Sequence, residues 1–424
     1  MPEATRARHI VLVLTLLLSA IVYLDRVCIS TASLAIKSEL ALSDSQMGYV
    51  FSIYTAAYAL FEVPGGWLVD RFGARWMLTR IVVAWSLMTA ATGMAWNFLL
   101  LFVIRMLFGM GEAGAYPSMA WVYGRWLSER DRGRAFGLTV MAGLLGASLT
   151  QPLVVTLLGY ISWRSVFPLF GAVGIIWAVG WFWWFRDNPG AHPAVNEAEL
   201  AAIGSHATEI GHVRVPWRRL WSNRSLRALC LMYCGTIYGW YFYLTWLPHY
   251  LYRARGFELK AVGWLSALPL LSIAVGVLAG GWVSDALVTR WGPRLGRRLP
   301  GLIGLPVAAV AIVRAVTAPG PVGAALAVAV AAGFSALGVA PAWATCLDIG
   351  RRNAGVISGA MNTFGNLGGA LSPVVVGVLL DHWHSWNAPL YTVAVLYLGA
   401  AAAWFWIDPQ EKLEEIPAAR LPSI

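Results

Sequence analysis

Arg105 and Glu112 stand seven residues apart in an apolar run from about 98 to 126. Seven residues are close to two helical turns, so both side chains leave one face, about 10 Å apart along the axis. That is too far for direct neutralisation. A lone charge in hydrocarbon costs from about 3 to over 10 kcal/mol, so such residues face a partner or a water-filled cavity. For Arg105 an ion pair with a neighbouring helix is the competing role. Glu112, flanked by Gly109, Gly111 and Gly114, is expected to titrate.

A second charged pair, Asp25-Arg26, lies in the first apolar run, 10–34. Adjacent helical residues point about 100° apart and so serve different partners. Arg26 offers a planar forked cation suited to bidentate binding of a carboxylate. A structural pair, with Asp25 or across helices, is the alternative. A carboxyl group in a dry environment is drawn to its neutral form, and a nearby cation draws it back to the charged form. Asp25 and Glu112 are therefore the candidate proton carriers, with Arg105 tuning Glu112. Glu62 forms a stripe with Tyr54 and Tyr58 at four-residue spacing. It is expected to be an ion-pair partner on the gate side, with a third titrating role as the alternative. The second half of the chain has neutral polar groups in its apolar runs: Tyr238, Tyr241, Trp246, Trp343, Asn362 and Asn366. Charges in the first half would handle a carboxylate and a proton, and these neutral groups would read the rest of the substrate. For the tryptophans, membrane-belt or packing duty is the alternative.

The elements that must position these residues follow from composition. The chain has 424 residues, 58% hydrophobic and 12% charged, with mean hydropathy +0.64. That places it among polytopic membrane proteins and sets nucleic acid aside as the reason for its net charge of +10. Cys230 and Cys234 share a helical face but have no His or Cys ligand nearby, so no zinc site, and no cofactor of any kind, is expected. Arg6 and Arg8 lead straight into the first run, with no cleavage signal expected.

Apolar runs of spanning length fall at 10–34, 47–69, 77–96, 98–126, 133–160, 164–185, 225–252, 262–288, 299–318, 320–347, 354–381 and 387–407. The expected fold is all-α, with twelve transmembrane helices in two pseudo-symmetric six-helix halves. The halves are residues 1–186 and 225–408, with a linker at 187–224 and a tail at 409–424. Of the 31 Lys and Arg residues, 23 fall with the termini, five on the opposite side and three inside runs. Both termini are therefore expected in the cytoplasm.

The halves repeat. Gly66 to Asp70 recurs as Gly281 to Asp285, and Gly133, Gly137 and Gly146 recur as Gly355, Gly359 and Gly368 at one offset. Repeated six-helix halves put a substrate site near the midplane between them and allow access to alternate. In the linker, Val195 to Glu209 is expected to form a short surface helix, with Asn196 as cap and Glu199 three residues on.

Gly66, Asp70, Arg71, Gly73 and Arg75 resemble the loop signature of the major facilitator superfamily. Asp70 at a helix end is placed to pair with arginines across a cytoplasmic gate, and Gly73 permits the tight turn. A closer resemblance, covering nearly the whole chain, is to the anion:cation symporter family of that superfamily. It rests on Tyr23 to Arg26, on Arg105 to Pro117 and on Asp187 to Pro193 with Glu199. Thr245 to Leu251, and Asn362 and Asn366 with Gly368, Gly369 and Pro373, complete it. The resemblance implies that Arg26 holds a substrate carboxylate, that Asp25 and Glu112 couple protons, and that Tyr23 and Tyr58 line the anion site. The sugar-acid members carry a glutamine where this chain has Gly143, which leaves room for a bulkier or less polar anion.

The expected function is proton-coupled symport of an organic carboxylate by a monomer in a bacterial-type inner membrane. A uniporter or exchanger of the same fold, or a non-transporting sensor, are the alternatives. A phosphate-ester antiporter would place a second arginine in span 7, and a membrane enzyme would need a nucleophile with a base or His-Glu-x-x-His; neither is present. In sealed cells, a cysteine between Arg253 and Lys260 should react with an impermeant thiol reagent added outside. One between Arg71 and Arg75 should not, and its labelling would reverse the orientation.

Overall fold

The computed structural model describes residues 4–204, 221–350 and 354–411, and no strand occurs among them. In the first half the helices are α1 (Ala7–Glu39), α2 (Asp44–Phe72), α3 (Ala74–Thr92), α4 (Phe98–Glu112), α5 (Ala115–Trp126), α6 (Glu129–Leu158) and α7 (Trp163–Trp184). A short helix, α8 (Glu197–Ile203), follows in the linker. The second half holds α9 (Arg224–Thr245), α10 (Leu259–Thr317), α11 (Pro321–Ala336), α12 (Val339–Gly350), α13 (Ala354–Trp383) and α14 (Asn387–Ala403). Among the described residues, eight helical stretches are long and apolar enough to cross a membrane. One of them, α10, is two helical stretches joined at Gly292, whose φ of 81 and ψ of 170 are not helical. The stretches on either side, 259–291 and 293–317, are each long enough to cross a hydrocarbon core of about 30 Å. α2, α3 and α9 are helices at predicted spans but are less apolar than those eight.

Two predicted continuous spans are broken. The 98–126 run divides at Ala113 and Gly114, where Gly114 takes φ 93. The 320–347 run divides at Leu337 and Gly338. Each break leans on the glycine just before the repeated motif: a Cβ on Gly65 would meet Gly114 at 2.7 Å, and one on Gly280 would strike the Leu337 carbonyl. A side chain there would force the paired helices apart. Periodicity alone does not reveal these breaks, because the composition stays apolar through both.

Within the halves α1 packs on α6, α3 on α7, α9 on α13 and α10 on α11. Bare backbone brings α1 and α6 together, since a Cβ on Gly146 would lie 2.7 Å from the Ala20 carbonyl oxygen. Between the halves the main contacts are α2 with α13 and α6 with α10. Two cations placed by the sequence opposite the termini close helix ends. Arg164 donates to the carbonyls of Gly93 at 2.9 Å and Ala95 at 2.6 Å, and Arg255 donates to Val316 O at 3.1 Å. A cation suits the negative end of a helix dipole.

Residues 187–203 lie against the first half. The Asp187 carboxylate accepts the Arg75 amide at 3.0 Å, capping α3. Glu199, fully buried, accepts from Ala7 N at 3.2 Å, Arg8 N at 3.0 Å and the Thr5 hydroxyl, closing the start of α1. The expected surface helix is present as α8, with Asn196 accepting the Glu199 amide at 2.9 Å. The Glu199 side chain, however, serves α1 instead of completing its own cap. Residues 205–209 of that expected helix lie outside the described residues, as do Arg351, Arg352 and Asn353. So do the tail beyond 411 and the basic residues Arg214, Arg218 and Arg219.

His192 fixes this strap from both ring nitrogens. Nδ1 accepts the Ala194 amide at 3.1 Å, so Nε2 carries the proton and donates to Trp184 O, 3.0 Å away. Burial between Trp126 and Trp184 lowers its pKa from the ordinary value of about 6.5. A lowered histidine gives stability that is complete above the unfolded value and is lost as pH falls through it. Proteolytic sensitivity of segment 187–203 should therefore rise between about pH 7.5 and 5.5, and His192→Phe should flatten that rise.

Candidate functional site

The break after α4 makes Glu112 its last residue, at a helix end whose exposed carbonyls already carry partial negative charge. A carboxylate there requires a cation, and Arg26 of α1 supplies it. Arg26 Nε donates to Glu112 Oε1 at 2.5 Å, and a terminal nitrogen pairs with the same oxygen. Tyr54 Oη donates to that oxygen at 3.4 Å. Glu112 is fully buried, whereas Arg26 keeps 16% of its side chain accessible. The guanidinium is boxed by three rings, Tyr58 at 4.7 Å, Tyr23 at 5.2 Å and Tyr54 at 5.6 Å from their centroids. Such faces stabilise a cation by about 0.5–2 kcal/mol each while leaving its N–H edge free for an anion.

Asp25 turns the other way. It is buried, and Trp85 Nε1 of α3 donates to its Oδ2 at 3.1 Å, while Oδ1 has no hydrogen-bond partner among the described residues. Arg105 is also buried and rests on Phe108 at 4.2 Å and Tyr54 at 5.0 Å. Its Nε has no hydrogen-bond partner, and no carboxylate lies within ion-pair distance among the described residues. Arg105 thus shares the Tyr54 ring with Arg26 rather than touching Glu112.

Tyr23 packs closely against α6 because residue 143 is glycine: a Cβ there would sit 2.6 Å from the ring. Tyr58 Oη donates to Glu62 at 3.4 Å. That phenol, and not the cation expected, is the partner of Glu62, since no Lys, Arg or His pairs with it among the described residues. In the second half, Trp343 Nε1 donates to Tyr233 Oη at 3.2 Å. Among the described residues, the hydroxyl of buried Tyr238 and Asn366 Nδ2 have no hydrogen-bond partner, and Asn362 is half-buried. Tyr241 is close enough to Arg26 and Glu112 to interact electrostatically. A Cβ on Gly369 would lie 2.5 Å from the Tyr241 ring. Sequence reasoning gave Trp85 and Tyr233 no role. Glycines one helix away from each ring, such as Gly365 beside Tyr233, are the signal that would have found the second.

At the end of α2, Gly66 faces Pro117 and Gly73 takes φ 77 with the Asp187 carboxylate where a Cβ would be. Arg71 stacks on Trp67 and Phe72, and Arg75 donates to Phe182 O at 2.9 Å. Asp70 is exposed and makes no ion pair with described side chains. Its counterpart Asp285 does: Arg297 bridges Asp285 at 2.8 Å and Asp348 at 3.2 Å.

A family model described as Major Facilitator Superfamily matches residues 15–373. The chain belongs to that superfamily. It is a membrane transporter, not an enzyme. A probable sulfoacetate transporter of Cupriavidus necator is 35% identical, covering 98% of this chain and 99% of the relative. A probable galactarate/D-glucarate transporter of Bacillus subtilis is 32% identical over 94% of this chain and 90% of its own. A D-galactonate transporter of Escherichia coli is 30% identical over 93% and 94%. Among solved structures, an inward-facing, occupied bacterial homolog of the human lysosomal transporter Spinster superposes with TM-score 0.78 at 20% identity. It covers 95% of this chain and 97% of that one, and shows the shared fold. The relatives named for organic acids agree with the group implied by Tyr23 to Arg26 and Arg105 to Pro117.

Trp85→Phe removes the indole donor from a buried carboxylate. It should lower stability by about 1–3 kcal/mol in thermal unfolding of the purified protein.

Proposed function

We propose that the protein is a proton-coupled symporter of a small organic anion carrying a carboxylate, working by alternating access. Twelve crossings and two six-helix halves, with both termini in the cytoplasm of a bacterial-type inner membrane, frame the reading. The observation that carries it is the Arg26–Glu112 pair, in which the cation is partly accessible and the acid is not. A substrate carboxylate entering beside Arg26 competes with Glu112 for the same N–H groups. Once displaced, Glu112 is a buried carboxylate without its counter-ion, and taking a proton relieves that cost. Anion binding and proton binding then favour each other, which is the linkage a symporter requires. Asp25, next to Arg26 on α1 and held by Trp85 of α3, is the second proton carrier in this scheme.

The neutral groups Tyr241, Tyr233 with Trp343, Tyr238, Asn362 and Asn366 would contact the remainder of the substrate. The relatives' names supply the probe set, sulfoacetate, galactarate and galactonate among them. Tyr23 fills the space beside Gly143 that the sequence left open for a bulkier anion, which favours a compact one over a long hydroxylated one. A monomer suffices, because both halves of the site come from one chain. An exchanger of the same fold would use Arg26 identically but would not need Glu112 to change its protonation.

Proteoliposomes separate these readings. Arg26→Lys should weaken binding at least tenfold, because an ammonium cannot reproduce the planar fork. Glu112→Gln mimics the protonated acid, so it should retain counterflow while losing accumulation driven by a pH gradient. Wild-type-like accumulation in Glu112→Gln would remove the coupling role. Joint loss of counterflow and folding yield would mark the pair as structural, at a cost of about 3–5 kcal/mol.

A further inference from the structure

The two halves meet at the end of the molecule opposite Arg71 and Arg75, and one carboxylate there has an unusual set of partners. Asp381, in the last turns of α13, accepts the Asp44 amide at 3.0 Å and the Ser45 amide at 2.7 Å. Those are the first two amides of α2, so a side chain from the second half caps a helix of the first. Asp381 has no cation within ion-pair distance among the described residues. Its counter-charge is the positive end of the α2 dipole. Asp44 itself is compensated separately, by Lys37 and, at 4.0 Å, by Arg253.

The surrounding packing is made for close approach. A Cβ on Gly377 would strike the Asp44 carbonyl, and one on Gly48 would strike that of Pro373. Beside this contact, fully buried His249 meets Ser33 of α1 at 2.7 Å, another bond between the halves. α2 does not depend on Asp381 to remain helical. Ser43 Oγ accepts the Gln46 amide at 3.1 Å and Gln46 Oε1 accepts the Ser43 amide at 3.0 Å, a complete capping box within the first half. The cross-half cap can therefore leave without unwinding the helix, and water can take its place on both partners.

We infer that Asp381 is a positioning residue for the transport cycle, a detachable helix cap that holds this end shut while the end bearing Asp70 is open. The Gly377 to Asp381 spacing repeats that of Gly66 to Asp70 and of Gly281 to Asp285. The motif at the end of α13 thus has a partner helix here, whereas Asp70 makes no hydrogen bond or ion pair among the described residues. The inference rests on the alternating-access reading, and it adds which group sets the balance between the two states.

Hydrogen exchange read by mass spectrometry on the full chain in lipid nanodiscs tests it without any transport assay. Asp381→Asn keeps the shape and removes the charge. It should speed exchange in peptides around 40–51 and 373–386 and slow it in those around 66–76 and 285–298. The population shift should be roughly tenfold, as loss of a charge-assisted pair of bonds implies. Gly377→Ala, which wedges the helices apart at the same seam, should give the same pattern of opposite changes at the two ends. Opposite changes at the two ends support the latch. Faster exchange confined to residues 44 and 45, or no change in either variant, overturns it. Failure of wild-type counterflow would instead count against the transport reading and leave the exchange result standing.

Discussion

A charge removed from water must find a partner, and in this protein that requirement ties α1 to α4. The Arg26–Glu112 contact brings a cation from one helix to the end of another that, by its dipole, resists a carboxylate. Everything around it follows from making that contact feasible. Gly114 breaks the span so that Glu112 projects at the level of Arg26. Gly65 makes room for the break, and Tyr23, Tyr54 and Tyr58 replace the water the guanidinium has lost.

The buried charges are not equivalent. Arg26 has its partner and some access to solvent, whereas Arg105 has aromatic faces and an unpartnered Nε. Asp25 has one indole donor and a free oxygen. Satisfying only part of a buried network leaves it sensitive to small changes in access, which a rigid structural network would not be. The firmer closures lie elsewhere: the Arg164 and Arg255 caps tie helix ends within each half, at the end of the molecule away from Arg71 and Arg75.

Much of this was legible in the residues. Apolar run lengths located the helices, the repeat of Gly66–Asp70 at Gly281–Asp285 pointed to two halves, and charges in apolar runs brought Asp25, Arg26, Arg105 and Glu112 forward. Pair assignment was not legible, because spacing along one helix says which face a group shares but not what faces it. Arg105 and Glu112 share a face of the chain, yet Glu112 pairs with Arg26, 86 positions away. The helix breaks at Gly114 and Gly338 also escaped, since glycine inside an apolar run serves equally for close packing and for a turn. Glu62 illustrates a third limit. A phenol one turn earlier satisfies it, and sequence spacing cannot rank that phenol against a cation from another element.

The strap has a consequence for how the chain is made. Ala7 N, Arg8 N and the Thr5 hydroxyl, at the very start of α1, find their acceptor in Glu199, more than 190 residues later in the chain. During synthesis the first helix therefore enters the bilayer with its leading amides bound only to water. It acquires its final closure once residue 199 has left the ribosome. By then α1 to α7 have all been synthesised. The first half can thus be finished, down to the sealing of its own first turn, before any residue of the second half emerges.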